Sequence, residues 1–165
     1  GTFTEAVVRE MSAINARPVV FALSNPTSRA ECTAQQAYEW SDGRALYASG
    51  SPFAPVTLAD SRRFVPRQGN NSYIFPGVGL GLVVACATRA TESMFLAAAH
   101  SLAASTSEAD LAQGSLYPPL AGVREVSARI AVAVAEIALR DGLAGIERPE
   151  DMLQAVLAET YDPRY

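Results

Sequence analysis

Lysine is absent from this 165-residue sequence, and all thirteen of its basic residues are arginine. That excludes, within this stretch, a Schiff-base lysine, a lysine general base and the lysine of a phosphate-binding loop. Histidine is nearly absent too: His100 stands alone after Ala97-Ala98-Ala99, where a surface position is expected. Cysteine is scarce. Cys32 and Cys86 have neither CxxC spacing nor a neighbouring histidine, so a zinc site is not expected and a reducing, cytoplasmic compartment is, with one disulfide as the alternative. Basic clusters are missing as well, at a net charge of −4, so nucleic acid is not an expected partner. No apolar run reaches the ~18–20 continuous residues a membrane-spanning helix needs. The longest uncharged apolar stretch, 72–88, contains Pro76 and three glycines and reads as a central core helix, so no membrane partner is expected. Gly1-Thr2-Phe3-Thr4-Glu5 has neither the basic nor the apolar region of a signal peptide, so no leader is expected there.

What the chain does have is enough apolar residues, 49%, to bury a core in one domain or parts of two. Thr2 with Glu5 has capping-box spacing, followed by Val7, Val8, Met11 and Ile14 at helical intervals, so a helix ending near Asn15 is expected. Pro18-Val19-Val20-Phe21-Ala22-Leu23 is a continuous apolar run of strand length, the pattern of a parallel strand buried on both faces. Thr33 to Gln36 repeats the capping-box spacing and opens a helix to about Trp40. Asp42-Gly43 then turns into a second short strand, 45–49. This alternation is that of an open α/β sheet. Residues 52–71 read as an irregular connection with a small hairpin through Val56-Thr57-Leu58 and Arg63-Phe64-Val65.

From residue 72 onward the pattern is helical. Helices are expected over 74–87, over 91–103, after Thr106 or Ser107, along a face marked by Val123, Val126, Ile130, Val134 and Ile137, and from Pro149 with proline in the first turn. Glu125 with Arg129 and Glu136 with Arg140 have the i,i+4 spacing of helix-surface ion pairs. Gly77-Val78-Gly79-Leu80-Gly81 follows Phe75-Pro76 rather than a strand, so close helix packing explains it better than a dinucleotide loop. Glu108-Ala109-Asp110 and Glu150-Asp151 suit helix starts rather than a metal site. No serine stands in a GxSxG nucleophile turn, and Ser51 after Gly50 matches one only loosely.

Two asparagine-rich turns carry the remaining polar chemistry, Ser24-Asn25-Pro26-Thr27 and Gln68-Gly69-Asn70-Asn71. A carboxamide offers a donor and an acceptor without charge, which suits holding a polar ligand rather than breaking one. Asparagine before proline is also an ordinary turn former, and Asn70-Asn71 equally suits a helix cap. Ser24-Asn25 and Ser49-Gly50-Ser51 fall at the carboxyl ends of the expected strands, where open α/β sheets bind ligands.

Five blocks then resemble one family: Phe21-Ala22-Leu23-Ser24-Asn25-Pro26-Thr27; Ala30-Glu31-Cys32-Thr33-Ala34; Ala48-Ser49-Gly50-Ser51-Pro52-Phe53; Gln68-Gly69-Asn70-Asn71-Ser72-Tyr73-Ile74-Phe75-Pro76-Gly77; and Leu111-Ala112-Gln113-Gly114-Ser115-Leu116-Tyr117-Pro118-Pro119-Leu120. In this order they resemble the C-terminal part of the malic enzymes, weakening beyond about residue 140. The resemblance implies an α/β fold: residues 1–70 as the end of an NAD(P)-binding Rossmann-type domain, and 71–165 as helices returning to the substrate domain and the C-terminal helices. It implies oxidative decarboxylation of L-malate to pyruvate and CO2, with NAD or NADP and with Mg2+ or Mn2+ in the complete enzyme. Ser24 and Asn25 are implied cofactor contacts, and Asn25, Asn70 and Asn71 substrate contacts.

The family's catalytic lysine and tyrosine, its metal carboxylates and its dinucleotide fingerprint are implied to lie in a missing N-terminal portion, so no catalytic residue and no metal ligand is expected here. The chain alone is expected to be inactive. Its uncovered apolar faces favour self-association, and a homo-oligomer is expected. Arg67 departs from the family's glycine, which puts the local loop geometry in question. The competing readings are a non-catalytic interaction module that kept the fold and the cofactor domain of another NAD-dependent dehydrogenase.

Overall fold

A computed structural model describes residues 2–161; residue 1 and residues 162–165, the outer limits of the expected domain ranges, lie outside the described residues. In chain order the helices are α1 (Glu5–Ile14), α2 (Ala34–Trp40), α3 (Phe75–Val84), α4 (Glu92–Ala104), α5 (Glu108–Ala112), α6 (Val123–Arg140) and α7 (Met152–Ala158). The strands are β1 (Val19–Ala22), β2 (Leu46–Ser49), β3 (Val56–Thr57), β4 (Arg63–Phe64) and β5 (Arg67–Gln68). The chain divides into two compact units, Gly1–Asn70 with Thr106–Pro118 and Asn71–Ser105 with Pro119–Tyr165.

In the first unit the helix starts follow from side-chain caps. The Val7 amide donates to the Thr4 hydroxyl at 3.4 Å, so the cap of α1 is Thr4 rather than Thr2. Glu5 pairs with Arg9 one turn onward at 2.8 Å instead of reaching back. At α2 the expected box forms in full: the Gln36 amide donates to Thr33 Oγ1 at 3.1 Å, and the Thr33 amide to Gln36 Oε1 at 2.9 Å. Asp42 and Gly43, both at positive φ (53° and 70°), then turn the chain into β2.

Strands β1, β2 and β5 form a parallel sheet in that order, while β3 and β4 form the expected antiparallel hairpin. Val20, Ala22, Ala37, Tyr38 and Tyr47 make the buried core. The Tyr38 ring stacks on Phe64 with centroids 4.3 Å apart.

Strand β1 corrects one expectation. Val20 and Ala22 are buried, but Val19 is 52% and Phe21 38% exposed, so the apolar run is covered on one face only among the described residues. The two-residue β5 was expected as irregular connection. It exists because β2 offers it a free edge and because Thr106–Pro118 clasps the segment. The Val65 amide donates to the Gln113 carbonyl at 2.9 Å, Ser115 Oγ donates to the Val65 carbonyl at 2.7 Å, and Arg67 lies 3.7 Å from Asp110.

In the second unit α6 is the common neighbour of α3, α4 and α7. The all-apolar α3 also meets α4 and α7 but packs less extensively than α6, so it is not the central helix: it buries Gly77, Val78, Gly81 and Val84 and leaves Phe75 and Val83 exposed. Its glycines do serve close packing. A Cβ on Gly77 would lie 2.7 Å from the Ile130 side chain, and one on Gly81 2.6 Å from the Ala131 carbonyl oxygen.

On α6 the Glu125–Arg129 pair forms at 2.7 Å. The Glu136–Arg140 pair does not, because Arg140 turns to Asp141 at 2.8 Å and Glu136 takes the Arg148 guanidinium with both oxygens. Helix α7 starts after Asp151, whose carboxylate accepts from the Gln154 amide at 3.0 Å, so Pro149 precedes the cap rather than filling the first turn. Thr91 and Ser107 cap α4 and α5. No helix among the described residues is long and apolar enough to cross a membrane. Cys32 is buried and Cys86 exposed, both as free thiols.

Candidate ligand site at the carboxyl edge of the sheet

The register brings three turns to one edge. Ala22 pairs with Ser49, and Ser49 with Gln68, so the three parallel strands end level. One further backbone bond ties each exit to its neighbour: the Gly50 amide donates to the Ala22 carbonyl at 2.9 Å, and the Gly69 amide to the Ser49 carbonyl at 2.8 Å. Leu23-Ser24-Asn25, Gly50-Ser51 and Gly69-Asn70 therefore leave the sheet side by side. Glycine is required at the middle exit. A Cβ on Gly50 would sit 2.0 Å from the Leu23 carbonyl oxygen and 3.1 Å from Asn25 Nδ2.

The side chains are fixed by partners on the neighbouring exits and within the Ser49-Gly50-Ser51 turn. The Ser51 hydroxyl donates to Asn25 Oδ1 at 2.5 Å, the Ser49 hydroxyl donates to the Ser51 carbonyl at 2.7 Å, and Gln68 Nε2 donates to the Gly50 carbonyl at 3.1 Å. The Asn25-Pro26 peptide is cis. Ser24 is engaged by Glu31, to which its amide donates at 3.2 Å and its hydroxyl at 2.5 Å. The Ser24 hydroxyl holds the Glu31 carboxyl below the usual glutamate range.

Of the four residues expected to bind ligand, Ser24, Asn25 and Asn70 share this edge of the first unit. Asn71 is the first residue of the second unit, where its carbonyl accepts from the Ile74 amide at 3.0 Å. Glu31, Ser51 and Gln68 were not among the expected site residues. Their partners lie 7, 26 and 18 positions away, beyond the reach of any local motif.

Arg67 settles into β5 opposite Ala48 and is not among the positive-φ residues, so the replacement of glycine brings no left-handed strain. His100 is exposed, as expected. Among the described residues no three His, Cys, Asp or Glu side chains group as metal ligands.

A parallel sheet whose strands end level in amide-bearing turns belongs to the Rossmann-type α/β class, which takes its ligands at this edge. The family profile described as "Malic enzyme, NAD binding domain" matches residues 1–139. The sequence is similar to NADP-dependent malic enzyme 3 of Arabidopsis thaliana, 48% identical over 165 residues, covering 99% of this chain and 28% of that protein. It is equally similar to the mitochondrial NADP-dependent malic enzyme of Mus musculus, 48% identical over 166 residues and covering 100% and 28%. The fold resembles the crystal structure of malic enzyme from Pyrococcus horikoshii Ot3, with TM-score 0.72, 27% identity, and 96% of this chain and 32% of that chain covered. It also resembles the Entamoeba histolytica malic enzyme, with TM-score 0.73, 25% identity, and 96% and 28% covered. The chain belongs to the malic enzyme family. It spans under a third of the length of these relatives.

Proposed function

We propose that this chain is the C-terminal portion of a longer malic enzyme that oxidises L-malate and decarboxylates the resulting oxaloacetate to pyruvate and CO2. The observation that carries this reading is that Asn25 and Asn70 follow β1 and β5, the two strands that flank β2 and end level with it in one parallel sheet, within the stretch the family profile matches. NADP is the cofactor named in several relatives, and the profile is named for NAD.

The edge fits the reactive end of such a cofactor, because Asn25 supplies an exposed carboxamide where the parallel strands end, held there by the Ser51 hydroxyl. When bound, the nicotinamide supplies the hydride acceptor. This chain's residues orient: Ser24 and Asn25 line the cofactor side, and Asn25 and Asn70 of the first unit hold the hydroxyl and carboxylate of malate for transfer, with Asn71 next in sequence as a further substrate contact in this reading. Among the described residues no three His, Cys, Asp or Glu side chains group as a ligand set for Mg2+ or Mn2+. Those ligands, with the lysine and tyrosine of the chemistry, belong to the N-terminal portion of the complete enzyme.

Residues 1–70 form the end of the cofactor domain in this reading, and 71–165 the helices that return to the substrate domain. The complete enzyme is a homo-oligomer. The two free thiols support a reducing compartment, for which we propose the cytoplasm, although relatives named for the mitochondrion and the chloroplast occur. The test is the complete protein with malate, NAD or NADP and Mn2+, followed by reduced cofactor and CO2. Asn25→Ala and Asn70→Ala are each expected to lower turnover by about 10²-fold, as misplaced substrates do, with the protein still folded by circular dichroism at the assay temperature. Wild-type rates in both variants would remove these residues from the site.

A further inference from the structure

We infer that Ser51 is a positioning residue: it fixes which end of the Asn25 carboxamide faces the ligand, presenting Nδ2 as a donor to an oxygen acceptor. This rests on the proposed function only for the identity of the ligand. A carboxamide has two ends of nearly equal shape and opposite polarity, so its surroundings must choose between them.

Here the choice follows from burial. Ser51 is only 7% exposed, so its hydroxyl proton needs an acceptor within the protein, and Asn25 Oδ1 is that acceptor at 2.5 Å. Turning the amide over would bring N–H against O–H and leave the buried hydroxyl proton without a partner. Ser51 cannot shift to accommodate the change. Its carbonyl is held by the Ser49 hydroxyl, and the preceding Gly50 carbonyl by the Gln68 amide. The Nδ2 end has no hydrogen-bond partner among the described residues, and it lies 3.1 Å from where a Gly50 side chain would begin.

The edge therefore offers a neutral N–H donor over bare backbone. It takes a carboxylate or carbonyl oxygen and rejects a group that can only donate. Malate supplies such an oxygen through its carboxylates, and the nicotinamide through its carboxamide.

The experiment uses the complete enzyme with Ser51→Ala, Asn25→Ala, the double variant and Asn25→Asp. Ser51→Ala is expected to raise one KM about five- to tenfold, the worth of one hydrogen bond, with the thermal midpoint nearly unchanged. A rise for malate assigns the oxygen to the acid, and a rise for the cofactor assigns it to the nicotinamide. The double variant is expected to be no worse than Asn25→Ala alone. Asn25→Asp keeps the acceptor for Ser51 but turns an oxygen toward an oxygen, so it falls below Asn25→Ala. Losses that multiply in the double variant, or an Asn25→Asp enzyme better than Asn25→Ala, overturn the inference. Should the complete protein not oxidise malate at all, the functional proposal fails by itself. The amide's orientation is then read by NMR with isotope-labelled asparagine: the Asn25 side-chain carbonyl signal is expected to move on Ser51→Ala, and an unmoved signal overturns the assignment.

Discussion

At Gly50 a hydrogen stands where any other residue would put a carbon 2.0 Å from the Leu23 carbonyl oxygen. That oxygen belongs to backbone and cannot swing aside as the tip of a side chain would. Gly50→Ala is thus expected to push the exit of β1 away from β2 and to cost about 1–3 kcal/mol, the range for overpacked sites, seen as a lower urea midpoint. In the complete enzyme the same change should reduce turnover, because Asn25 rides on the displaced turn. Glu31 makes a second, pH-dependent contribution. Its carboxyl is held below the usual glutamate range by the Ser24 hydroxyl. A folded value below the unfolded one means the stabilisation is complete above the ordinary glutamate value and fades as pH falls through the folded value. Urea midpoints measured down the acid limb should show Glu31→Gln with a shallower fall than wild type, and parallel curves would remove the Ser24–Glu31 pair from the stability of this turn.

Among the elements, α3 provides an internal comparison, since its glycines face different surroundings. Gly77 and Gly81 lie against α6, where a Cβ would come within 2.8 Å of existing atoms, whereas a Cβ on Gly79 would meet nothing within 4 Å. Gly79→Ala should stabilise by about 0.5–1 kcal/mol through helix propensity alone, and Gly77→Ala or Gly81→Ala should destabilise in spite of the same propensity gain. Thermal denaturation of the three single variants checks the order. The same helix marks the limit of what its own letters revealed. Its glycines were legible as packing contacts because no strand precedes them, but its uniform apolarity gave no clue that Phe75 and Val83 stay exposed. Capping boxes were legible where both halves are local, as at Thr33 and Gln36. The i,i+4 spacing of Glu136 with Arg140 is misleading because the partner of Glu136, Arg148, comes from beyond the helix end. Strand β5 was missed because two polar residues carry no period, and only the edge of β2 makes them a strand. The amide turns were legible as candidates, while the hydroxyls and carboxylate that aim them were not.

For the molecule as a whole, the division of labour proposed above predicts that this chain alone does not turn over malate. Purified chain given malate, cofactor and Mn2+ is expected to produce no reduced nicotinamide, and measurable turnover would contradict the division of labour proposed above. The uncovered face of β1, with Val19, Phe21 and Leu23 each at least 38% exposed, should make the isolated chain associate as its concentration rises. Sedimentation across a concentration series checks this, and a constant monomer mass would argue against it. The clasp on β5 bears on how such a protein is made. Ser115, which donates to the Val65 carbonyl, is synthesised 50 residues after its acceptor. A nascent chain leaving the ribosome has therefore already released α3 and α4 before the clasp that holds β5, and so the base of Asn70, can close; a pause in translation anywhere between those points would strand the ligand edge half-built.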